Sequence, residues 1–138
     1  MYKSTTELKV RYAETDQMGV VHHSNYYVYF EAAREDFIAG IGMRYADMES
    51  IGIMMPLVET QCKYIEGARY GDEIQIETKL EELSPVKVQL HYEAVRKNDG
   101  KVLAKGHTVQ TFVDSERFKI INLKKAFPDI WERFESLK

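Results

Sequence analysis

A chain of 138 residues, 44% apolar and 30% charged, has the size and balance of one folded unit and can bury roughly two thirds of its unfolded surface. A net charge of -3 and a pI near 5.8 exclude a broad nucleic-acid footprint, which needs a basic stripe to displace phosphate counterions. Cys62 is the single cysteine, so no internal disulfide and no cysteine-based metal cluster can form, and no apolar run approaches a signal peptide or the ~20 residues of a membrane span. The expectation is one cytoplasmic domain over residues 1–138.

From Thr5 to Tyr12 apolar and charged residues alternate, the period of a half-buried strand. Residues 14 to 19 break the alternation and read as a turn. Beyond them Tyr26, Phe30, Ala33, Phe37 and Ile41 recur at spacings of four and three, with Tyr29 and Ala32 widening that face and Glu31, Arg34, Glu35 and Asp36 on the remainder. The spacing predicts a helix from about Ser24 to Gly40, on the order of 25 Å long. Gly40 and Gly42 offer it a left-handed exit.

Residues 43 to 52 read as a short helical turn. Segments near 54 to 65, 72 to 84, 86 to 98 and 101 to 114 then carry alternating β-branched and aromatic residues, separated by Gly67 and Gly71, by Ser84-Pro85 and by Asn98-Asp99-Gly100. The last is the strongest hairpin signal, because Asn, Asp and Gly tolerate the positive φ of tight turns. Ile74, Ile76, Thr78 and Leu80 form one strand face, and Val86, Val88, Leu90 and Tyr92 form the facing one. Phe127, Ile130, Trp131 and Phe134 give a terminal amphipathic helix opened by Pro128. Strand, long helix, four strands and short helix make an α+β chain, with antiparallel strands long enough to wrap one helix.

Chemistry concentrates where the first turn meets the long helix. Asp16 in such a turn serves as a cap for helix N-H groups or as a carboxylate beside a carbonyl polarised by those groups. One carboxylate and one oxyanion donor suit hydrolysis of a thioester, whose thiol leaves readily because its pKa is roughly 8.5. His22 and His23 lack the i,i+4 spacing and the intervening Glu of zinc hydrolases, which speaks against a metal centre. His22 reads as part of the helix entry, while His23 stands where the helix begins and its backbone N-H counts for more than its ring. Cys62, His91 and His107 fall in strand patterns and read as structural.

The segment R-Y-x-E-T-D-x-x-G-V-V-x-H-x-N-Y-x-x-x-F-E-x-A-R, Arg11 to Arg34, closely resembles the signature of hot-dog acyl-CoA thioesterases of the 4-hydroxybenzoyl-CoA thioesterase type, nearest to the short-chain branch associated with the Tol-Pal cluster. ARYGDEIQIET (68–78) and NDGKVLAKGHTVQTFVD (98–114) are similar to that family as well. The resemblance implies a five-stranded antiparallel sheet around a long central helix, no cofactor, and homodimers or homotetramers with active sites between subunits. It implies that Asp16 is the catalytic carboxylate and that position 23 supplies the oxyanion amide, with the His23 ring assisting. It also implies that Gly19 allows a close turn beside the substrate, that Tyr12 and Tyr26 border the pocket, and that Lys87 falls near a CoA-contacting position. Alternatives open at this point are acyl-carrier-protein hydrolysis, a hot-dog hydratase and a non-catalytic acyl-CoA binder.

Overall fold

The long helix α1 runs Ser24–Ala39, one residue short of the predicted end. In the computed structural model, which describes all 138 residues, Tyr26, Tyr29, Phe30, Ala33 and Phe37 of this helix are buried, as the three-four spacing requires. Two positions depart from the pattern. Ala32 is exposed, and Arg34, assigned to the polar face, is buried with its guanidinium toward the Tyr92 and Tyr45 hydroxyls and no carboxylate beside it. Its long stem carries the charge under the sheet, which periodicity by Cα position cannot register. The exit differs too: Gly40 keeps a right-handed φ of -63° and Gly42, at +77°, makes the left-handed turn.

Around α1 lie β1 (Lys3–Lys9), a helical turn α2 (Tyr45–Ser50), β2 (Ile53–Met54), β3 (Leu57–Tyr64), β4 (Glu73–Ser84), β5 (Lys87–Arg96), β6 (Val102–Thr111) and β7 (Val113–Asp114), then α3 (Leu123–Ala126) and α4 (Pro128–Glu135). The sheet is antiparallel in the order β1-β4-β5-β6-β3, five strands curved over the helix, and β2 and β7 pair separately. The predicted strand at 54–65 is therefore two. Pro56 has no N-H to give a ladder, and its carbonyl instead accepts from the Thr111 N-H at 3.1 Å, the point where β6 also gives way to β7. Val86, expected inside, is exposed in the turn between β4 and β5.

The inward faces of β4 and β5 carry Ile74, Ile76, Thr78, Leu80, Val88, Leu90, Tyr92 and Ala94 against α1, and Phe30 stacks on Tyr92 with ring centres 4.5 Å apart. Gly106 lets the helix approach β6: a Cβ there would lie 2.5 Å from the Gln61 carbonyl oxygen and 2.7 Å from the Phe30 ring. α4 closes one end with Ile130, Trp131 and Phe134 buried, Phe134 edge-on to Phe112. No helix is long and apolar enough to cross a membrane.

One strand breaks the in-out alternation. Along β3 nearly every residue is exposed, including Leu57 and Val58, and Cys62, expected to be buried, is only half so. β3 lies at the edge of the sheet, paired with β6 on one side only.

Candidate active site

The segment between β1 and α1 is held in place by backbone bonds at both ends. A helical turn at Tyr12–Glu14 follows β1, Thr15 bridges Val21, and the Val21 N-H donates to the Ala68 carbonyl at 2.8 Å. Between these anchors Asp16 closes a tight turn. Its N-H donates to the Val20 carbonyl, its carbonyl accepts from the Gly19 N-H, and its Oδ1 accepts from the Met18 N-H at 2.9 Å. Gly19 takes φ +81°, the left-handed conformation that permits the turn. Asp16 Oδ2 has no partner within the chain.

At the start of α1 the His22 N-H donates to the Glu14 carbonyl at 2.9 Å, and the Asn25 N-H returns to the His22 carbonyl. The His22 ring acts as the cap: its Nδ1 lies 2.8 Å from Ser24 Oγ and accepts from the Ser24 N-H at 3.3 Å. The His23 N-H is left without an acceptor in the chain. It sits at the positive end of the helix, where a backbone donor is strongest toward a developing anion.

Asp16 and His23 open on one cleft of about 320 Å³, walled mainly by Val21, Tyr26, Tyr64, Ile65 and Gly67. Tyr64 meets His23 and Tyr26 edge-on, at 6.2 and 5.5 Å between ring centres. Burial pushes the Tyr26 hydroxyl up to about 12, so it stays neutral, and burial with the nearby Cys62 and Tyr27 likewise raises Tyr64. The tyrosine walls thus stay neutral near neutral pH, and Glu66, which also lines the cleft, is paired with Arg96. On the far side of the Asp16 turn a second hollow is lined by Tyr12, Gly19 and Tyr70, with the Tyr12 and Tyr70 rings 5.7 Å apart. Asp16 forms the ridge between the two hollows, and Tyr12 and Gly19 belong to the outer one.

Lys87 stands apart from these residues. It begins β5 opposite Thr111, at the end of the sheet away from Tyr64, whose β6 neighbour is Ala104. His107, read as structural, lies 2.7 Å from Glu59 on the outer face, across from His91.

Three contributors to the cleft carried little signal in the sequence. Tyr64 closes a strand pattern, and nothing in it marks the cleft wall. Gly67 served only as a separator, yet a Cβ there would stand 2.5 Å from Val20 Cγ1, so it permits the cleft floor to touch the Asp16 turn. Arg96 holds that floor from β5: Nη1 donates to Glu66 and Asp99 at 2.9 Å, Nε to Asp72 at 3.1 Å and Nη2 to the Gly67 carbonyl at 2.9 Å. These partners raise the Arg96 pKa against the opposing effect of burial.

The thioesterase-like superfamily model matches residues 10–131, which take in the Asp16 turn, α1 and the whole cleft. The chain belongs to that superfamily. It is 37% identical, over all of its length and 99% of the relative's, to YneP of Bacillus subtilis (strain 168), a protein assigned as an acyl-CoA thioesterase. A DHNA-CoA thioesterase structure from Staphylococcus aureus superposes with a TM-score of 0.93 at 36% identity, covering 99% of this chain and 91% of that one. A hypothetical protein from Thermus thermophilus, TT1821, superposes at 0.88 with 40% identity, covering 99% and 98%. The architecture is the hot-dog fold, and the activity of this thioesterase is thioester hydrolysis.

Proposed function

We propose that this thioesterase hydrolyses acyl-CoA esters to the free acid and CoA using the Asp16 carboxylate and the His23 amide. The observation that carries the proposal is the pairing, on one cleft, of a carboxylate oxygen and a helix-terminal N-H that both lack partners. A thioester carbonyl oxygen directed at the His23 N-H is polarised. On the general-base route Asp16 takes a proton from water as the hydroxyl adds to the carbonyl carbon, collapse breaks the C-S bond, and the thiolate leaves and receives that proton. On the nucleophilic route an Asp16 oxygen adds to the carbon, collapse releases the thiolate and leaves an acyl anhydride on Asp16, and water then cleaves the anhydride to the free acid and the Asp16 carboxylate, one proton of that water going to the thiolate. The His23 ring, at the cleft wall, orients the water or passes that proton. Tyr26 packs the acyl group, Gly19 keeps the turn close, and Tyr12 borders the thiol side. No metal or cofactor enters the scheme.

Asp16→Asn tests the assignment. Turnover should fall about 10²-fold or more while a non-hydrolysable thioether analogue still binds, because general-base help is worth roughly that much. A variant that keeps most of its rate removes the carboxylate from the mechanism.

In this reading residues 1–138 act as one cytoplasmic domain, and the unpaired, exposed β3 edge joins a second copy into a dimer. Two-fold antiparallel pairing of β3 sets the Leu57 end of one copy beside the Tyr64 end of the other. Lys87 of the partner subunit would then approach this cleft from about three strand spacings, ~14 Å, away. That arrangement accounts for a CoA-contacting lysine remote from the cleft of its own chain. Lys87→Ala should raise KM for acyl-CoA and leave KM for an N-acetylcysteamine thioester, which has no nucleotide, unchanged. Equal effects on both substrates would exclude the contact.

Placement in the 4-hydroxybenzoyl-CoA thioesterase type, near the Tol-Pal-associated short-chain branch, belongs to the same proposal. The Tyr26 and Tyr64 rings edge-on across the cleft favour a compact or flat acyl group over a long chain. Acetyl-, isobutyryl-, benzoyl- and palmitoyl-CoA assayed for thiol release should rank palmitoyl-CoA last.

A further inference from the structure

Glu14 lies two residues before Asp16 and is buried. Both of its carboxylate oxygens are engaged within the chain. Oε1 accepts from the Arg11 N-H at 2.8 Å and from the Tyr29 hydroxyl at 2.9 Å, and Oε2 accepts from Arg11 Nε and Nη2 at 3.2 and 3.1 Å. Its carbonyl oxygen accepts from the His22 N-H and from Asn25 Nδ2, each at 2.9 Å. One residue therefore grips α1 at its first turn through Asn25 and at its second through Tyr29, while also holding the residue that precedes His23. Every acceptor on it is used, so it is not itself a reacting group.

The Asp16 turn otherwise bonds mostly to itself. The bonds Asp16 N-H to Val20, Gly19 N-H to Asp16 and Met18 N-H to Asp16 Oδ1 are all local, and the Val21 to Ala68 bond ties the segment to the cleft floor rather than to the helix. The Glu14 contacts tie it to α1. We infer that Glu14 is a positioning residue, fixing the separation and angle between the Asp16 carboxylate and the His23 amide, with Tyr29 as its anchor on the helix. The inference rests on the mechanism proposed above and adds to it the element that aligns its two halves. A displacement of about 1 Å of a reacting group lowers turnover by as much as 10²-fold without weakening the remaining substrate contacts.

Two variants test this with different risks to folding. Glu14→Gln turns an amide NH2 toward groups that are themselves donors. Tyr29→Phe deletes one hydroxyl and keeps the ring that packs edge-on to Tyr26 at 5.6 Å. With whichever of the four acyl-CoA esters above turns over fastest, each variant should lower kcat about tenfold or more, with KM and the binding of the thioether analogue within about twofold of wild type. The double variant should be no slower than the worse single, because both cut the same brace. Wild-type kcat in Tyr29→Phe, or a loss in either variant that appears as raised KM or as a reduced folded fraction, overturns the positioning role. Asp16→Asn measured alongside separates the two claims: an active Asp16→Asn enzyme removes the mechanism, while an inactive one beside fully active Glu14→Gln and Tyr29→Phe removes only the brace.

Discussion

Burial and hydrogen bonding act on Glu14 in opposite directions. Burial pushes its carboxyl up, but the Arg11 N-H, the Tyr29 hydroxyl and the Arg11 guanidinium outweigh that and hold it below the ordinary value of 4.5. A carboxyl whose pKa is lower folded than unfolded adds stability above the unfolded pKa, and that stability is lost as pH falls through the folded one. Wild-type protein should thus lose stability on acidification below about pH 4.5, and Glu14→Gln should show a shallower dependence over the same range. Urea titrations at pH 6, 5, 4 and 3.5 measure the difference, and parallel slopes would remove Glu14 as the source. Tyr29 is linked to the same bond: burial first, then its donation to Glu14, raises its hydroxyl, so the donor keeps its proton across the range in which the enzyme folds.

Among the elements, the approach of α1 to the sheet depends on the absence of a side chain at Gly106. At Gly106 a Cβ would overlap the Gln61 backbone and the Phe30 ring, neither of which moves without shifting β3 or the helix. Gly106→Ala should cost about 1–3 kcal/mol, the usual cost of overpacking a filled core. Chemical denaturation gives that number, and a neutral substitution would mean that β3 is free to shift outward. The β3–β4 connection is held differently, by the Arg96 guanidinium reaching Glu66, Asp72, Asp99 and the Gly67 carbonyl. Arg96→Met should cost about 1–3 kcal/mol, because several charge-assisted bonds from one partly buried guanidinium are lost together. Its amide protons from 65 to 72 should exchange faster than those of β4 and β5, localising the effect to the cleft floor.

For the whole molecule the open question is the β3 edge. A strand with Leu57 and Val58 exposed and one ladder edge free is an aggregation hazard unless something covers it. In the dimer proposed here a second β3 covers it, and the β5 of that copy brings Lys87 of the partner subunit toward the cleft. Val58→Pro sets a ring against the pairing edge and should give monomer in sedimentation, with acyl-CoA turnover reduced together with assembly. A monomer that retains full kcat and KM would show that each cleft is complete in one chain.

The hydrophobic period of α1, the alternation of β4 and β5 and the Asn98-Asp99-Gly100 turn were legible in the sequence, because each is a local consequence of which side chains a helix or strand can bury. The Asp16-to-His23 stretch was legible for the same reason: its turn, its left-handed Gly19 and the helix start all lie within a few residues. Long-range assembly decided the rest. Pro56, with no N-H for the ladder, divides the strand where its carbonyl meets the Thr111 N-H, and Arg34 turns from the polar face toward the Tyr92 and Tyr45 hydroxyls. Tyr64 and Gly67 joined the cleft, and Arg96 came to hold its floor, through the order β1-β4-β5-β6-β3, which places distant segments side by side. Sequence alone determined which residues carry acid, amide and apolar surface. Only the tertiary structure decided which of those groups were left without partners, because an unpaired N-H or carboxylate oxygen is defined by everything around it.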